Sequence, residues 1–371
     1  MSAFRAAHAT AGSWTEACKA CVEQLGELDE AFNLGFIYVT DALAPELAGI
    51  LTFLRESTPI EDWVGAAGFG VCASGREYVE TPAVAVMAAA LPSDAFRVFP
   101  TIDESLDEFR VDHRDWVERS QPIFAVVHGD SQNGKTPEII ARMAEETSAF
   151  LVGGLVSASG PRNQIAGEVT GGGVSGVMFS GRVAVATGLS QGCAPVGPAH
   201  KITDARGNVL ISLDNRNALE VFKEDIGEAL SQNLRRVGGH IHAALPVPGS
   251  DTGDYVVRNL VGIDPDKGWL AIGENVEPGG TVTFCARGRP SAERDLKRML
   301  SELKARIEGA PKGGVYFSCV ARGPNLFGAN SEELGMIREE LGAFPLAGFY
   351  ANGEISHNRL YGYTGVLALF L

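Results

Sequence analysis

The chain has 371 residues, of which 45% are hydrophobic and 21% are charged, a normal composition for a folded globular protein. Its formal net charge is −15 and no run of Lys or Arg offsets it, so an acidic surface argues against a nucleic-acid partner. The N-terminus lacks the apolar segment of a signal peptide, and no apolar run reaches the roughly 18 residues of a membrane span. We therefore expect a cytoplasmic protein with no nucleic-acid or membrane partner.

The first predicted element is a helix near the N-terminus, and residues 1–30 are interpreted as this N-terminal helix. Ser13 and Glu16 have the spacing of a capping box, which marks a helix start. Cys18 and Cys21 then fall on its apolar face. They have CxxC spacing, but no second cysteine pair completes a zinc site, so core packing is the preferred interpretation.

Three stretches of the chain repeat one pattern: a buried strand, a loop, an amphipathic helix, a Gly-broken strand and a closing apolar strand. Their first strands are LGFIYVTD (34–41), PIFAVVHGD (122–130) and GGVYFSCVARG (313–323). Each β-α-β segment predicts two parallel strands joined by a right-handed crossover, and the short connection that follows lets the closing strand pair antiparallel. The predicted fold class is α/β with two domains, in which mixed β-sheets are built from pseudo-repeated β-α-β-β units with covering helices.

The region between the second and third copies follows another pattern. Residues 255–288 read as a β-meander, and residues 291–309 read as a long, charged, amphipathic helix. After the N-terminal helix, the domains are placed at residues 31–228 and 229–371.

Residues Gly129–Thr136 match the P-loop pattern between a predicted strand and a predicted helix. A true P-loop would hold phosphates on its backbone amides and Mg²⁺ on the Thr hydroxyl. The equivalent junctions in the other two copies have no such sequence, so the preferred interpretation is a solvated loop. A nucleotide-binding enzyme is kept as the alternative.

Two further motifs carry weaker signals. Ser190 lies in a G-x-S-x-G pattern, but Pro195 and Pro198 follow it, so no helix starts where a nucleophile elbow requires one. His240 and His242 share one face of a predicted strand, where polar residues on the solvent face are the preferred interpretation over metal ligands. We expect no metal site and no catalytic residues.

Polar residues cluster at the ends of the third copy's strands. Cys319 and Arg322 follow its first strand, and Asn352 and Glu354 follow its second. Because the carboxyl ends of parallel strands meet at one edge of a sheet, these residues are predicted to form a ligand site. Arg322 and Glu354 are the expected charged pair, which either clamps a zwitterionic ligand or closes on itself as an internal ion pair.

A second set of pocket-lining residues is predicted in the first copy, where Arg76, Glu77 and Tyr78 follow the Gly-broken strand. Cys319 is a probe of the predicted site, because a thiol at a pocket mouth beside Arg322 would have a lowered pKa and react readily. A slow, buried thiol would instead indicate closed core.

Several motifs together resemble one known family. GREY (75–78), SQGCAPVGP (190–198), VLISLDNRNALEVF (209–222), YVVRNLVGID (255–264), FSCVARG (317–323), PLAGFYANGEI (345–355) and YGYTGVLALF (361–370) are similar to motifs of the FIST family, the F-box and intracellular signal transduction proteins. The series occurs in the family's order, and the N- and C-terminal FIST domains would together cover nearly all of the chain.

The resemblance implies a sensory domain that binds a small ligand, and amino acids are the ligands proposed for the family. Some members are described as haem-based nitric oxide sensors, but the resemblance assigns no haem-binding histidine here, so no cofactor is predicted. Eukaryotic relatives carry an F-box. The chain shows no segment for an F-box or an output domain, so we expect the signal to pass to a separate protein partner. A protein-interaction module is the remaining alternative.

Overall fold

The computed structural model describes residues 3–160, 163–232, 234, 237–247 and 255–371. The chain forms two compact units, one of residues 1–190 with 296–371 and the other of residues 191–295. In sequence, the second unit interrupts the first. The expected domain boundary between residues 228 and 229 falls inside the second unit, so the two sequence halves are not the two compact units.

The first unit contains the same order of elements three times: strand, helix, strand, helix, strand, two-stranded hairpin, strand. The first repeat consists of β1 (Ala3–Thr10), α1 (Trp14–Leu25), β2 (Phe32–Thr40), α2 (Leu47–Ser57), β3 (Asp62–Gly68), β4 (Gly70–Ala73), β5 (Arg76–Val79) and β6 (Ala83–Ala90). The second consists of β7 (Phe96–Ile102), α3 (Asp107–Ser120), β8 (Pro122–Gly129), α4 (Thr136–Thr147), β9 (Phe150–Leu155), β10 (Gln164–Ala166), β11 (Glu168–Thr170) and β12 (Val174–Ser180).

The third repeat begins with β13 (Val185–Gln191) and is interrupted by the second unit. The second unit holds β14 (Cys193–Arg206), β15 (Val209–Leu213), β16 (Arg216–Asn217), α5 (Ala218–Ser231), β17 (Ile241–Pro246), β18 (Tyr255–Asp264), β19 (Trp269–Ile272) and β20 (Thr281–Arg287). The third repeat then resumes with α6 (Arg289–Arg306), whose residues up to 295 are counted in the second unit. It continues with β21 (Gly313–Cys319), α7 (Glu332–Leu341), β22 (Leu346–Ala351), β23 (Glu354–Ser356), β24 (Arg359–Tyr361) and β25 (Thr364–Phe370).

Each repeat builds the centre of one six-stranded sheet, and the predicted pairing is confirmed. β2–β3, β8–β9 and β21–β22 are parallel, and β6, β12 and β25 each pair antiparallel with the first strand of the parallel pair. The strand orders are β1-β6-β2-β3-β10-β11, β24-β23-β9-β8-β12-β7 and β13-β25-β21-β22-β4-β5. The sheets are therefore mixed and built from pseudo-repeated units, as the sequence indicated.

The hairpin of each repeat pairs with the sheet of another repeat. β4–β5 extends the third sheet, β10–β11 extends the first, and β23–β24 extends the second. This cyclic exchange ties the three sheets together, because every sheet takes two of its six strands from a neighbouring repeat.

A glycine at one equivalent position allows each parallel pair to form. Gly65, Gly153 and Gly348 lie opposite Ile37, Val127 and Tyr316. A Cβ at any of the three glycines would overlap the carbonyl oxygen of the residue opposite. The Gly-broken strands are therefore a requirement of close backbone approach.

On β2, β8 and β21, the residues one position after Ile37, Val127 and Tyr316 meet in the core. The ring centroids of Tyr38 and His128 are 5.6 Å apart, and Phe317 lies 6.0 Å from the first and 6.2 Å from the second. The Tyr38 hydroxyl also contacts His128 Nε2 at 3.1 Å. Burial lowers the pKa of His128 to about 3, so this histidine is a neutral core residue. The three repeats share one hydrophobic core.

The N-terminal segment differs from the expected helix over residues 1–30. The predicted helix start is confirmed, because the Ser13 hydroxyl accepts a hydrogen bond from the Glu16 backbone amide and α1 begins at Trp14. Strand β1 precedes it and pairs antiparallel with β6. Cys18 and Cys21 are buried in the core, as predicted.

The second unit is a ring of antiparallel strands. The order is β14-β20-β17-β18-β19-β15, and β15 pairs with β14 to close the ring. Helix α5 contributes Phe222, whose ring centroid lies 4.8 Å from that of Phe284 on β20. The predicted meander is wrong in its last step, since β20 pairs with β14 and β17, and β19 pairs with β15.

Candidate functional site

Arg322, a central residue of the predicted ligand site, is fully buried and forms an ion pair with Glu333 of α7. The Arg322 Nε to Glu333 Oε1 distance is 2.8 Å, and the two side chains are 0% and 1% exposed. The Tyr316 and Ser318 hydroxyls and the Gly323 amide also donate hydrogen bonds to the Glu333 carboxylate. The alternative of an internal ion pair between Arg322 and Glu354 is wrong, because Glu333 is the partner of Arg322.

The two terminal nitrogens of the Arg322 guanidinium reach other parts of the first unit. Nη2 lies 3.3 Å from the Ser190 hydroxyl, and Nη1 lies 3.4 Å from the Ser190 carbonyl and 3.5 Å from the Tyr363 carbonyl. The guanidinium centre also lies 5.0 Å from the centre of the Phe327 ring. Since the protein already supplies partners to each nitrogen, a ligand would have to displace them to reach Arg322.

Glu354 is buried and accepts two hydrogen bonds from one residue. Its Oε2 lies 2.7 Å from the Thr364 hydroxyl and 3.1 Å from the Thr364 amide nitrogen. Burial raises the pKa of Glu354 to about 7, and the Thr364 hydrogen bonds oppose this rise. Asn352 is exposed, and its backbone N–H donates a hydrogen bond to the Leu155 carbonyl. The PLAGFYANGEI motif thus carries the turn from β22 into β23.

Cys319 is buried at the end of β21. Burial raises the pKa of its thiol well above the usual range, and the Glu354 charge adds to this rise. Of the two outcomes set out for Cys319, the structure therefore matches the buried thiol and closed core at this strand end.

The residues predicted in the first copy form strand β5. The amide of Glu77 donates to the Ser331 hydroxyl at 2.8 Å, and the amide of Leu334 donates to Glu77 Oε1 at 3.2 Å. Burial raises the pKa of Glu77 to about 7, with a further contribution from the Glu333 charge. Arg76 is exposed, while Tyr78 is half-buried and its hydroxyl lies 2.7 Å from His8 Nδ1. Strand β5 therefore lies in the third sheet with Cys319 of β21, whereas Glu354 lies in β23 of the second sheet. Glu77 and Arg322 both contact the start of α7.

An open cavity of about 400 Å³ lies at the carboxyl end of β2 and β3, where α/β sheets commonly bind ligands. We call it the β2–β3 cavity. Its walls include Asp41, Pro45, Phe69, Glu80, Thr81 and Ser159. The cavity is acidic, because two of its lining residues carry carboxylates and none is Lys or Arg.

Asp41 connects the first and second repeats at the cavity wall. Its carboxylate accepts hydrogen bonds from the Ser159 hydroxyl and from the Gly160 amide. Although partial burial opposes the effect, these bonds lower the pKa of Asp41, so the carboxylate is ionised at neutral pH. Glu80 follows directly after β5, so the strand that holds the predicted Arg76–Tyr78 set leads into the cavity wall.

A chain of hydrogen bonds joins the cavity to the third repeat. The amide of Phe69 donates to the Ser157 hydroxyl at 2.8 Å, and this hydroxyl donates to the Tyr350 carbonyl. The Tyr350 side chain lies beside Glu77, whose carboxylate holds the Leu334 amide of α7. Hydrogen bonds thus link the cavity wall to β22, and a separate hydrogen bond from Leu334 to Glu77 links α7 to β5.

The P-loop match has the wrong local geometry for phosphate. The amides of residues 130, 132, 133, 135 and 136 already donate to backbone or side-chain oxygens of the protein. Thr136 is buried, and its hydroxyl donates to the Asp130 carbonyl at 2.8 Å. The loop is closed by its own hydrogen bonds, which argues against the nucleotide-binding alternative.

The remaining motifs have structural positions. Ser190 lies within strand β13 and is buried against Arg322, so it is not a nucleophile elbow. His242 is buried in β17, and its solvent-face interpretation is wrong, whereas His240 is exposed in the preceding turn. Among the described residues, no group of three His, Cys, Asp or Glu side chains could hold a metal ion.

The sequence matches the FIST N domain over residues 33–216 and the FIST C domain over residues 218–357. The chain belongs to the FIST family. FIST domains are sensory domains of signal-transduction proteins. This FIST protein is 32% identical over 342 residues to the uncharacterized protein Rv0628c of Mycobacterium tuberculosis, with 87% of each chain covered. It is 36% identical over 236 residues to the uncharacterized protein Mb0898c of Mycobacterium bovis, with 60% of each chain covered.

Sequence reasoning missed Glu333 and Asp41, although each has a recognisable signal. Glu333 shares one helical face with Ile337 and Leu341, and a carboxylate on an apolar face indicates a buried partner. Asp41 directly follows the β2 strand at its carboxyl end.

Among the described residues, the helices are too short or too polar to span a membrane.

Proposed function

We propose that this FIST protein is a sensory domain that binds a small polar molecule in the β2–β3 cavity. The observation that carries the proposal is an open cavity with two carboxylates, Asp41 and Glu80, and no cationic lining residue. Such a site favours a ligand with an ammonium group, because a charge-assisted hydrogen bond to a carboxylate is about twice as strong as a neutral one. Amino acids and small amines are the two ligand classes that carry this group.

The ligand would act on the rest of the first unit through contacts that are already in place. Phe69 is a wall of the cavity and is joined to the third repeat through Ser157. Glu80 lies at the end of β5, whose Glu77 is bonded to α7. A ligand that fixes these residues would stabilise β5 and α7 against local opening, and we propose that a separate signalling protein senses this change.

Cytoplasmic location and non-enzymatic function are part of the same proposal. The FIST family membership supports sensing, and the buried, fully bonded state of Ser190 and Thr136 supports the absence of nucleophilic or phosphoryl-transfer chemistry. Arg76, Glu77 and Tyr78 are proposed to support the cavity wall. Ligand contact by the other predicted set stays a prediction; these residues are Arg322, Asn352, Glu354 and Cys319. Three of them are buried and Asn352 lies in a turn, which favours a supporting role.

The test is a thermal-shift screen with amino acids, small amines and, as the charge-reversed set, small carboxylic acids. A ligand at 100 times its Kd adds about 2.7 kcal/mol to the free energy of unfolding and so raises the Tm. We expect ammonium compounds to raise the Tm of the wild type and of Glu308→Gln, a control that removes an exposed carboxylate elsewhere. Asp41→Asn and Glu80→Gln should reduce the shift. If millimolar ammonium compounds leave the Tm unchanged, the proposed ligand class is wrong.

A further inference from the structure

A second pocket lies at the other end of strand β5 from the β2–β3 cavity. Its volume is about 130 Å³, and its walls include Leu334 and Ile337 of α7 together with Phe344 and Leu346. The turn Ser74–Gly75, which connects β4 to β5, also lines it. All four wall side chains are apolar, so the interior offers a surface for an aliphatic group. We call it the Arg338 pocket.

Arg338 is the one charged residue among the residues that line this pocket. It is exposed, and its guanidinium makes no ion pair or hydrogen bond with any part of the chain that the structure describes. Its Nη1 lies 3.2 Å from the point that a Cβ on Gly75 would occupy. The guanidinium therefore lies close against this turn, and a side chain at residue 75 would crowd it.

The chemistry of the pocket has two parts. The apolar walls accept a short aliphatic chain, and the free guanidinium at the rim matches a carboxylate, which it can bind with two parallel hydrogen bonds. A volume of about 130 Å³ suits a short branched chain. We infer that the Arg338 pocket binds a short, branched aliphatic carboxylate.

A structural role for Arg338 makes a different demand on the residue. Arg338 lies in the last turn of α7, where a positive charge stabilises the helix dipole. A lysine would supply that charge equally well. Binding a carboxylate through two parallel hydrogen bonds requires the planar guanidinium, so Arg338→Lys separates the two roles.

The test is isothermal titration calorimetry with isovalerate as the probe. Isobutylamine and 3-methylbutanol have similar tails without the carboxylate and serve as matched ligands. We expect isovalerate to bind and the other two to give no binding heat. Arg338→Lys should weaken isovalerate binding by about tenfold, which corresponds to about 1.4 kcal/mol. Arg338→Gln should abolish it, and Arg119→Gln, which removes another exposed helical arginine, should bind like the wild type.

A second variant tests the pocket itself. Ala343 is an exposed lining residue, so Ala343→Leu should fold normally and reduce isovalerate binding by filling the pocket. The inference is overturned if isovalerate does not bind at millimolar concentration, or if Arg338→Gln or Ala343→Leu binds it as well as the wild type does. The Asp41→Asn and Glu80→Gln variants should bind isovalerate normally, so this result is independent of the ligand proposed for the β2–β3 cavity.

Discussion

Arg322 and Glu333 form a buried ion pair 2.8 Å long that joins the end of β21 to the start of α7. Glu333 accepts further hydrogen bonds from Tyr316, Ser318 and the amide of Gly323. Because the pair is buried and its carboxylate accepts these additional hydrogen bonds, it fixes the start of α7 against the end of β21. The sequence drew attention to Arg322 as a ligand contact, whereas the structure gives it a role in fixing α7 beside β5.

Removing Glu333 should leave a buried charge without its partner. We expect Glu333→Gln to lower the free energy of unfolding by about 3–5 kcal/mol, because breaking a buried pair leaves an uncompensated guanidinium. Urea unfolding measures the change. Glu118→Gln breaks the exposed pair of Glu118 with Arg114 and should cost less than about 1 kcal/mol. Equal effects of the two substitutions would contradict the structural role given to Arg322.

Glu354 should make the stability of the protein depend on pH. Its carboxyl has a pKa of about 7 in the folded protein against an ordinary value of 4.5. Between these values the folded state binds more protons than the unfolded state, so the free energy of unfolding falls as pH rises and is no longer affected by this group above about pH 7. The Glu354→Gln side chain cannot ionise. The free energy of unfolding of this variant, relative to that of the wild type, should therefore rise by about 3 kcal/mol between about pH 4.5 and 7.5.

Urea unfolding of both proteins across this pH range checks the prediction for Glu354. Glu77 also has a raised pKa, but it is present in both proteins, so its effect cancels in the difference. Glu308→Gln, which changes an exposed carboxylate, should give a curve parallel to that of the wild type. Parallel curves for Glu354→Gln would show that burial does not shift the pKa of Glu354.

The equivalent glycines of the parallel strand pairs should tolerate no side chain. We expect Gly348→Ala to destabilise the protein by more than about 3 kcal/mol, because its Cβ would overlap the Tyr316 carbonyl and neither backbone can move freely within the sheet. Gly335→Ala is the matched control, since a Cβ there meets no atom within 4 Å and alanine favours the helix by about 1 kcal/mol. Chemical denaturation that ranked the two variants alike would contradict the close approach of β21 and β22.

Much of the first unit could be predicted because its pattern occurs three times. The parallel pairs, the antiparallel closing strands and the Gly-broken second strands all follow from local hydrophobic periods and short connections. The leading strands β1 and β7 and the exchange of hairpins were not predicted, since a strand's sequence does not specify which sheet it joins. The second unit interrupts the third repeat in sequence, and this hid the third repeat's leading strand.

The candidate site could be predicted only in part for a similar reason. The expectation that ligands bind at the carboxyl edge of a parallel strand pair applied equally to three edges. At the third edge, Arg322 forms an ion pair with Glu333 of α7, and Glu354 accepts a hydrogen bond from Thr364. Each partner lies about ten positions away along the chain, so the strand ends alone did not reveal it. At the first edge, Asp41 and Glu80 line open space.

The loop at Gly129–Thr136 should not bind nucleotide. We expect no ATP or GTP binding with Mg²⁺ in the wild type or in Lys135→Ala, because the loop amides and the Thr136 hydroxyl are already bonded within the protein. Fluorescence titration with a labelled nucleotide checks this. A signal in the wild type that disappears in Lys135→Ala would revive the nucleotide-binding alternative.

The most direct test of the account is the affinity of the β2–β3 cavity for the best ammonium compound from the thermal-shift screen. Isothermal titration would compare the wild type, the double variant Asp41→Asn with Glu80→Gln, and the control Glu308→Gln. A hydrogen bond to a charged group contributes about 1.5–3 kcal/mol, so the account predicts a loss of affinity of at least about tenfold in the double variant and none in the control. Equal affinity in the wild type and the double variant would contradict ligand binding in this cavity.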